Sequence, residues 1–168
     1  VAPPSVMARL NQSGSTDLNM ELQRKPILPY DRVRLPPYRM KAIKAAHFPS
    51  VGDAVNYIID DGKKKILIAS DTGIYENEVW PHLENLQLDL LVIEATRGIR
   101  AGKQGVHLSI EDMKMMVEKM KDIHAITDQT VIYATHFSHQ HVPPHEELSK
   151  LLKVVGVECV YDGLVLEI

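Results

Sequence analysis

Three short apolar runs in this chain each end in a polar cluster, and that pattern constrains the fold more than any other feature. Ile66-Leu67-Ile68-Ala69 leads into Ser70-Asp71-Thr72-Gly73, Leu90-Leu91-Val92-Ile93 into Glu94-Ala95-Thr96, and Val131-Ile132-Tyr133-Ala134 into Thr135-His136-Phe137-Ser138-His139. A continuous apolar run such as Leu90–Ile93 reads as a strand covered on both faces. Polar groups at the ends of such strands converge on one rim of a helix-covered sheet, where folds of this kind build their sites.

The remaining elements fit around these strands. Met40–Phe48, Ala54–Asp60 and Lys64–Ala69 are expected strands, and Asp61-Gly62 is a tight-turn signal that makes Val55–Ala69 a hairpin. Tyr75–Leu86 has a helical pattern interrupted by Pro81. Ser109 can cap a helix, with Asp112 three residues on as a capping box, and Ile110, Met113, Val117 and Met120 follow at helical spacing. Thr130–Ala134 is a further short strand. Pro143-Pro144 precede a helix with Leu148, Leu151, Leu152 and Val155 on its apolar face, closed by Gly156. Val157–Val160 and Leu164–Ile168 are expected to form a terminal hairpin around Asp162-Gly163. The class that follows is α/β, a mixed β layer covered by helices.

Residues 1–39 read differently from residues 40–168. Pro3 and Pro4 open a short helix through Leu10, Asn11–Asn19 is a polar loop, and Pro26, Pro29, Pro36 and Pro37 permit only short extended pieces. The segment is expected to be a connection within a larger fold, and residues 40–168 the unit with a core. The opening Val1-Ala2-Pro3-Pro4 lacks the features of a signal peptide, so a processed or truncated polypeptide is expected.

Composition excludes several classes. The 168 residues are 45% hydrophobic and 24% charged, a globular ratio. The net charge of −3 gives no global attraction for nucleic acid, so phosphate chemistry must come from a local site. No apolar run approaches the ~18 residues of a membrane span. A single cysteine, Cys159, excludes an internal disulfide and fits a reducing, cytoplasmic setting. The four methionines Met113, Met115, Met116 and Met120 read as core packing.

Several rim residues carry both a bland and a chemical reading. Asp71 taken alone suits a turn or helix cap first, and a carboxylate facing a cleft second. Three of the eight histidines, His136, His139 and His141, fall within six residues, a density that favours metal ligation. His47, after the expected strand Ala42–Ala46, reads alone as structural. A His–Asp–His set from three strand ends changes that weighting, because a borderline metal takes nitrogen and oxygen ligands together and one carboxylate can bridge two ions. Arg97, Arg100 and Lys103 sit among Gly98, Gly102 and Gly105, a basic loop suited to phosphate.

The ordered set Ile68-Ala69-Ser70-Asp71-Thr72-Gly73, Leu91-Val92-Ile93-Glu94-Ala95-Thr96 and Thr135-His136-Phe137-Ser138 resembles the metallo-β-lactamase superfamily. It is most similar to the phosphodiesterase branch, which contains the tRNA 3′-processing endonucleases and the cyclic-phosphate phosphodiesterase of phosphonate catabolism. His107-Leu108-Ser109 before a helix and the ending Val160-Tyr161-Asp162-Gly163 also look like elements of that branch. The resemblance runs from about Met40 to Ile168.

The resemblance implies an αββα sandwich with two divalent metal ions, commonly zinc or manganese. It implies His47, Asp71 and His136 as metal ligands, Asp71 bridging, and Glu94 with His107 as the catalytic pair that protonates a leaving group. His107 would be kept cationic by Glu94, and hydroxide held between the two metals would attack phosphorus. His139, His141 and Arg97 are the expected substrate contacts. The family's His-x-His-x-Asp-His motif is absent from these residues, and Ala2–Leu10 looks like the segment that follows it. The chain therefore resembles the C-terminal part of such an enzyme.

The favoured function is a metal-dependent phosphodiesterase acting on a small cyclic or nucleotide-like phosphodiester. Nucleic acid is not the favoured substrate, since the acidic balance supplies no docking surface. The alternative is a catalytically incomplete half-domain that binds a partner, either a second copy or a complementing N-terminal half. A doubly wound nucleotide binder ranks last, because no G-x-G-x-x-G or P-loop follows any strand.

Overall fold

The computed structural model describes residues 1–12, 25–47, 52–100 and 105–167. Among them α1 (Pro4–Gln12), α2 (Ile110–Asp122) and α3 (His145–Lys153) accompany a sheet of seven strands in sequential order. These are β1 (Arg32–Leu35), β2 (Tyr38–Lys44), β3 (Val55–Asp60), β4 (Lys65–Ala69), β5 (Leu90–Glu94), β6 (Val131–Thr135) and β7 (Glu158–Cys159). The protein is α/β, as its alternation of apolar runs and helical spacing requires.

Strand direction sets the rim. β1 to β4 pair antiparallel and β4 to β7 pair parallel, so β2, β4, β5 and β6 all run the same way. The segments leaving those four strands therefore share one edge, and they carry His47, Asp71, Glu94 and His136.

The core lies on one face of the sheet. Ile58, Leu67, Leu91, Ile93, Ile132 and Ala134 pack there against Ile110, Met113, Met116, Val117 and Met120 of α2 and Leu148 and Leu152 of α3. Ser109 caps α2 as its sequence predicts: its hydroxyl accepts from the Asp112 amide, and the Asp112 carboxylate accepts from the Ser109 amide. On the other face, Ile27, Val33 and Ala42 form a small cluster with Val55 and Tyr57. Among the described residues no helix is long and apolar enough to cross a membrane.

Several expectations need correction. Tyr75–Leu86 is not a helix; only Trp80–His82 makes a single 3₁₀ turn. Pro81 removes one α-helical donor, and the left-handed Asn85 and Gln87 end any continuation, yet Tyr75, Val79, Trp80 and Leu83 still fill the core. The sheet begins before Met40, because β1 and β2 form a hairpin across Pro36-Pro37. The terminal hairpin is replaced by the two-residue β7, parallel to β6, and Leu164–Glu167 is irregular. Val165 is 85% exposed, so no burial holds that segment in a strand. Leu151 and Met115 are likewise exposed rather than core. The expected loop falls mostly outside the described residues, as do Phe48, Gly102 and Lys103.

Candidate metal centre

Each rim residue is held by the segment that delivers it. Asp71 and His136, the residues just past β4 and β6, both have left-handed backbone, with φ of 51° and 58°. Asp and His are among the non-glycine residues that tolerate this region, and such strained positions cluster at functional sites. The turn brings Asp71 Oδ1 to 3.2 Å from His136 Nε2, although β5 lies between their strands. The exit of β5 carries the buried Ala95 at the corresponding place, and its small side chain keeps the gap open.

Glu94, the last residue of β5, is fully buried. Its Oε1 accepts from the Thr72 amide at 2.6 Å and from His107 Nδ1 at 2.9 Å. Its Oε2 accepts from the amides of Thr96 and Leu108 at 3.3 and 3.2 Å. Four donors thus fix a carboxylate that has no access to water. A carboxylate so engaged orients His107 and is a poor direct ligand.

The histidines are each pinned through one ring nitrogen. His47 Nδ1 lies 2.9 Å from the Val106 carbonyl, His107 Nδ1 faces Glu94, and His136 Nδ1 lies 2.7 Å from Thr96 Oγ1. Anchoring Nδ1 in this way presents Nε2 as the coordinating or proton-carrying atom, the arrangement that metal-binding histidines use. The rings of His47 and His107 meet edge-on at 4.9 Å, and those of His107 and His136 stack at 5.7 Å. Asp71 Oδ1 is also 3.9 Å from His107 Nδ1.

Divalent ions fit this donor set. His47, Asp71 and His107 place their ligand atoms within 4.8 Å of one another, and Asp71 also stands beside His136. Glu94, though as close to His107 and His136, is taken up by its four donors. Donors about 2.1 Å from a tetrahedral ion stand ~3.4 Å apart, close to the Asp71–His136 spacing. Imidazole nitrogen with carboxylate oxygen suits zinc and its neighbours.

The expected substrate contacts divide. His139 is exposed and lines a cleft of about 820 Å³ beside His136, His145, Tyr161 and Asp162. His141 lies apart from it, its Nε2 accepting from Arg100 Nη1 at 3.2 Å. Arg97 is turned inward: it is 3% exposed, and its guanidinium faces Asp112 at 3.5 Å and the Arg100 carbonyl at 3.3 Å. Among the described residues it is not one that lines the cleft beside His136.

The sequence assigned no role to two residues that hold the rim together. Thr72 is buried, and its hydroxyl accepts from the Ala46 amide at 3.0 Å, which ties the His47 segment to the Asp71 turn. Gly73 extends that tie by donating to the Ala46 carbonyl at 2.9 Å, and a Cβ there would collide with the Gly105 carbonyl. The only sequence signal was their place beside Asp71 in Ser70-Asp71-Thr72-Gly73.

Comparison with known structures places the fold. The chain superposes on Zn(2+)-bound PqqB from Methylobacterium extorquens with a TM-score of 0.68 and 14% identity, over 99% of this chain and 64% of that one. Igni18, a metallo hydrolase from Ignicoccus hospitalis, gives 0.66 and 15% identity over 97% and 65%. YhfI from Bacillus subtilis, a metallo-β-lactamase fold protein, gives 0.63 and 19% identity over 83% and 54%. The chain thus spans between about half and two thirds of these relatives. No curated protein matches the sequence. The family model described as beta-lactamase superfamily domain matches residues 1–154, and the chain belongs to that family.

Proposed function

We propose that the chain carries part of the active site of a metal-dependent hydrolase acting on a small cyclic or nucleotide-like phosphodiester. The observation that supports it most is the Glu94–His107 pair, a buried carboxylate 2.9 Å from an imidazole beside the Asp71–His136 donors. His47, Asp71 and His136 would hold divalent ions, zinc or manganese by their chemistry. Such ions, when bound, supply positive charge at phosphoryl oxygens and acidify water.

The chain's own residues handle the leaving group. Glu94 accepts from His107 Nδ1 and so aims Nε2 outward, the atom from which the protonated ring would give its proton to a departing alkoxide. General acids of this kind contribute about 10²- to 10⁴-fold. The cleft beside His136 lies within the ~300–1,000 Å³ range of small-molecule sites and offers His139, His145 and Tyr161 to the rest of the substrate.

The test compares bis(4-nitrophenyl) phosphate with a nucleoside 2′,3′-cyclic phosphate in added zinc or manganese. His107→Ala should lose more turnover on the cyclic substrate, whose alkoxide needs a proton, than on the nitrophenyl ester. Equal losses on both substrates would contradict the assignment of His107, and no hydrolysis of either when a complementing half that carries the His-x-His-x-Asp-His motif is supplied would contradict the phosphodiesterase reading.

A second reading, a half-domain that binds a partner, is supported by the sheet face away from α2 and α3. Tyr57, Ile68, Val92 and Tyr133 form a row in register across β3 to β6 and remain only half-buried. A second copy or a complementing N-terminal half laid on that row would complete its burial. A sedimentation measurement giving a monomer with no affinity for such a half would remove this reading.

A further inference from the structure

A second cleft, of about 520 Å³, lies at the opposite end of the sheet from the histidine rim. It is lined by the start of β2, the end of β3 and the start of β4, whereas the rim is built where β2 and β4 end. Five cationic side chains, Arg32, Arg34, Arg39, Lys41 and Lys65, face it with a single carboxylate, Asp60. The chain as a whole carries −3, so this concentration of positive charge is local.

The register makes the arrangement costly. Arg32 stands directly opposite Lys41, and Arg34 directly opposite Arg39, on neighbouring strands. Like charges in directly opposed cross-strand positions repel and destabilise a sheet. Asp60 is already engaged, accepting from Arg39 Nη2 at 3.0 Å. Lys41 Nζ donates to the His82 carbonyl at 3.3 Å, and Lys65 Nζ to the Leu86 carbonyl at 3.1 Å, so neither meets a carboxylate. Among the described residues Arg32 and Arg34 form no ion pair. Beneath the charges, on the same sheet face as Lys41, the cleft has an apolar floor of Ile58 and Leu86.

From this juxtaposition we infer that the cleft binds a small organic phosphate, with two or more negative charges for the arginines and a ring-bearing body for the apolar floor. A nucleoside diphosphate has that chemistry. Guanidinium groups grip phosphate through paired N–H donors, which Arg32 and Arg34 can supply without first breaking an internal ion pair. Charge alone would serve an edge strand as protection against aggregation. The apolar floor and concave shape distinguish a ligand site from that role. The inference does not rest on the metal-dependent reading of the rim.

Isothermal titration calorimetry with ADP, adenosine and inorganic pyrophosphate, in EDTA to silence the rim, tests it. ADP should bind more tightly than either fragment. Arg32→Gln/Arg34→Gln should weaken ADP at least tenfold, and Arg34→Gln alone should weaken it less. Neither variant should melt below the wild type, since each removes cross-strand repulsion. His136→Ala should leave ADP affinity unchanged even if it abolishes every activity of the rim. Unaltered ADP binding in the double variant would overturn the proposal, as would loss of binding in His136→Ala. So would absence of binding, pyrophosphate binding as tightly as ADP, or a single-stranded oligonucleotide binding where ADP does not.

Discussion

The Glu94 carboxylate, wholly buried, accepts the Nδ1 proton of His107 across 2.9 Å. The same oxygen accepts from the Thr72 amide, and its twin from Thr96 and Leu108, so one side chain joins the exits of β4 and β5 to the start of α2. That makes Glu94 a structural anchor and the orienter of the histidine at once, and two substitutions separate the roles. Glu94→Ala strands three amides and is expected to cost about 3 kcal/mol or more in urea unfolding. Glu94→Gln keeps the volume and one acceptor oxygen for His107 Nδ1 but removes the negative charge and turns an NH2 group toward two N–H donors. It should therefore lower turnover roughly 10- to 100-fold at a stability cost below that of Glu94→Ala. Equal effects on turnover and folding for the two variants would contradict the orienting role.

Gly73→Ala tests how the rim is assembled. Its Cβ would meet the backbone of Gly105 and Ala46, which cannot move aside as a side-chain tip can. The expected cost is about 1–3 kcal/mol by thermal melting, with the His47 segment displaced from Asp71 and a weaker response to added zinc. A variant of wild-type stability and metal affinity would show that this close approach does not matter.

The capping box at Ser109 gives a prediction confined to folding. Ser109→Ala removes the acceptor for the Asp112 amide and is expected to cost about 1 kcal/mol, read as a lower Tm. Asp112→Ala should cost more, because it also removes the carboxylate facing the buried Arg97 guanidinium.

Asp89 predicts a dependence on pH. The Lys65 amide, donating at 2.8 Å, and the Lys64 ammonium beyond it hold its carboxyl below the usual range. A depressed acid stabilises the folded state above its unfolded pKa, and that contribution fades as pH falls through the lower folded value. Asp89→Asn should therefore destabilise by about 1 kcal/mol at pH 7, discounted for partial exposure, and the gap to wild type should begin to narrow below about pH 4 and close as pH falls through the lower folded value. A gap that stays constant from pH 7 down to the lowest pH at which both proteins remain folded would place the effect in packing instead.

Much of the rim was legible in the sequence because apolar runs and their polar exits are local signals. Ile66–Ala69 followed by Asp71 reads as a strand and its exit without knowledge of the neighbours. Ser109 and Asp112 likewise carry their whole interaction within four residues. What was illegible depends on distant partners. Arg97 sits in a glycine-bearing loop and reads as a phosphate contact, but Asp112 of α2 turns it inward. The bridge from Thr72 to Ala46 spans segments 26 residues apart, which no spacing rule reveals. Leu164–Glu167 has the alternation of a strand and lacks a covered face to hold it.

The central claim is that Asp71 and His136 bind metal. Elemental analysis of wild type and an Asp71→Ala/His136→Ala variant, reconstituted with zinc and dialysed in parallel, tests it directly. Wild type should retain zinc, and the variant should lose roughly one equivalent or more per chain. Equal zinc in the two proteins, or none in the wild type, would contradict the account.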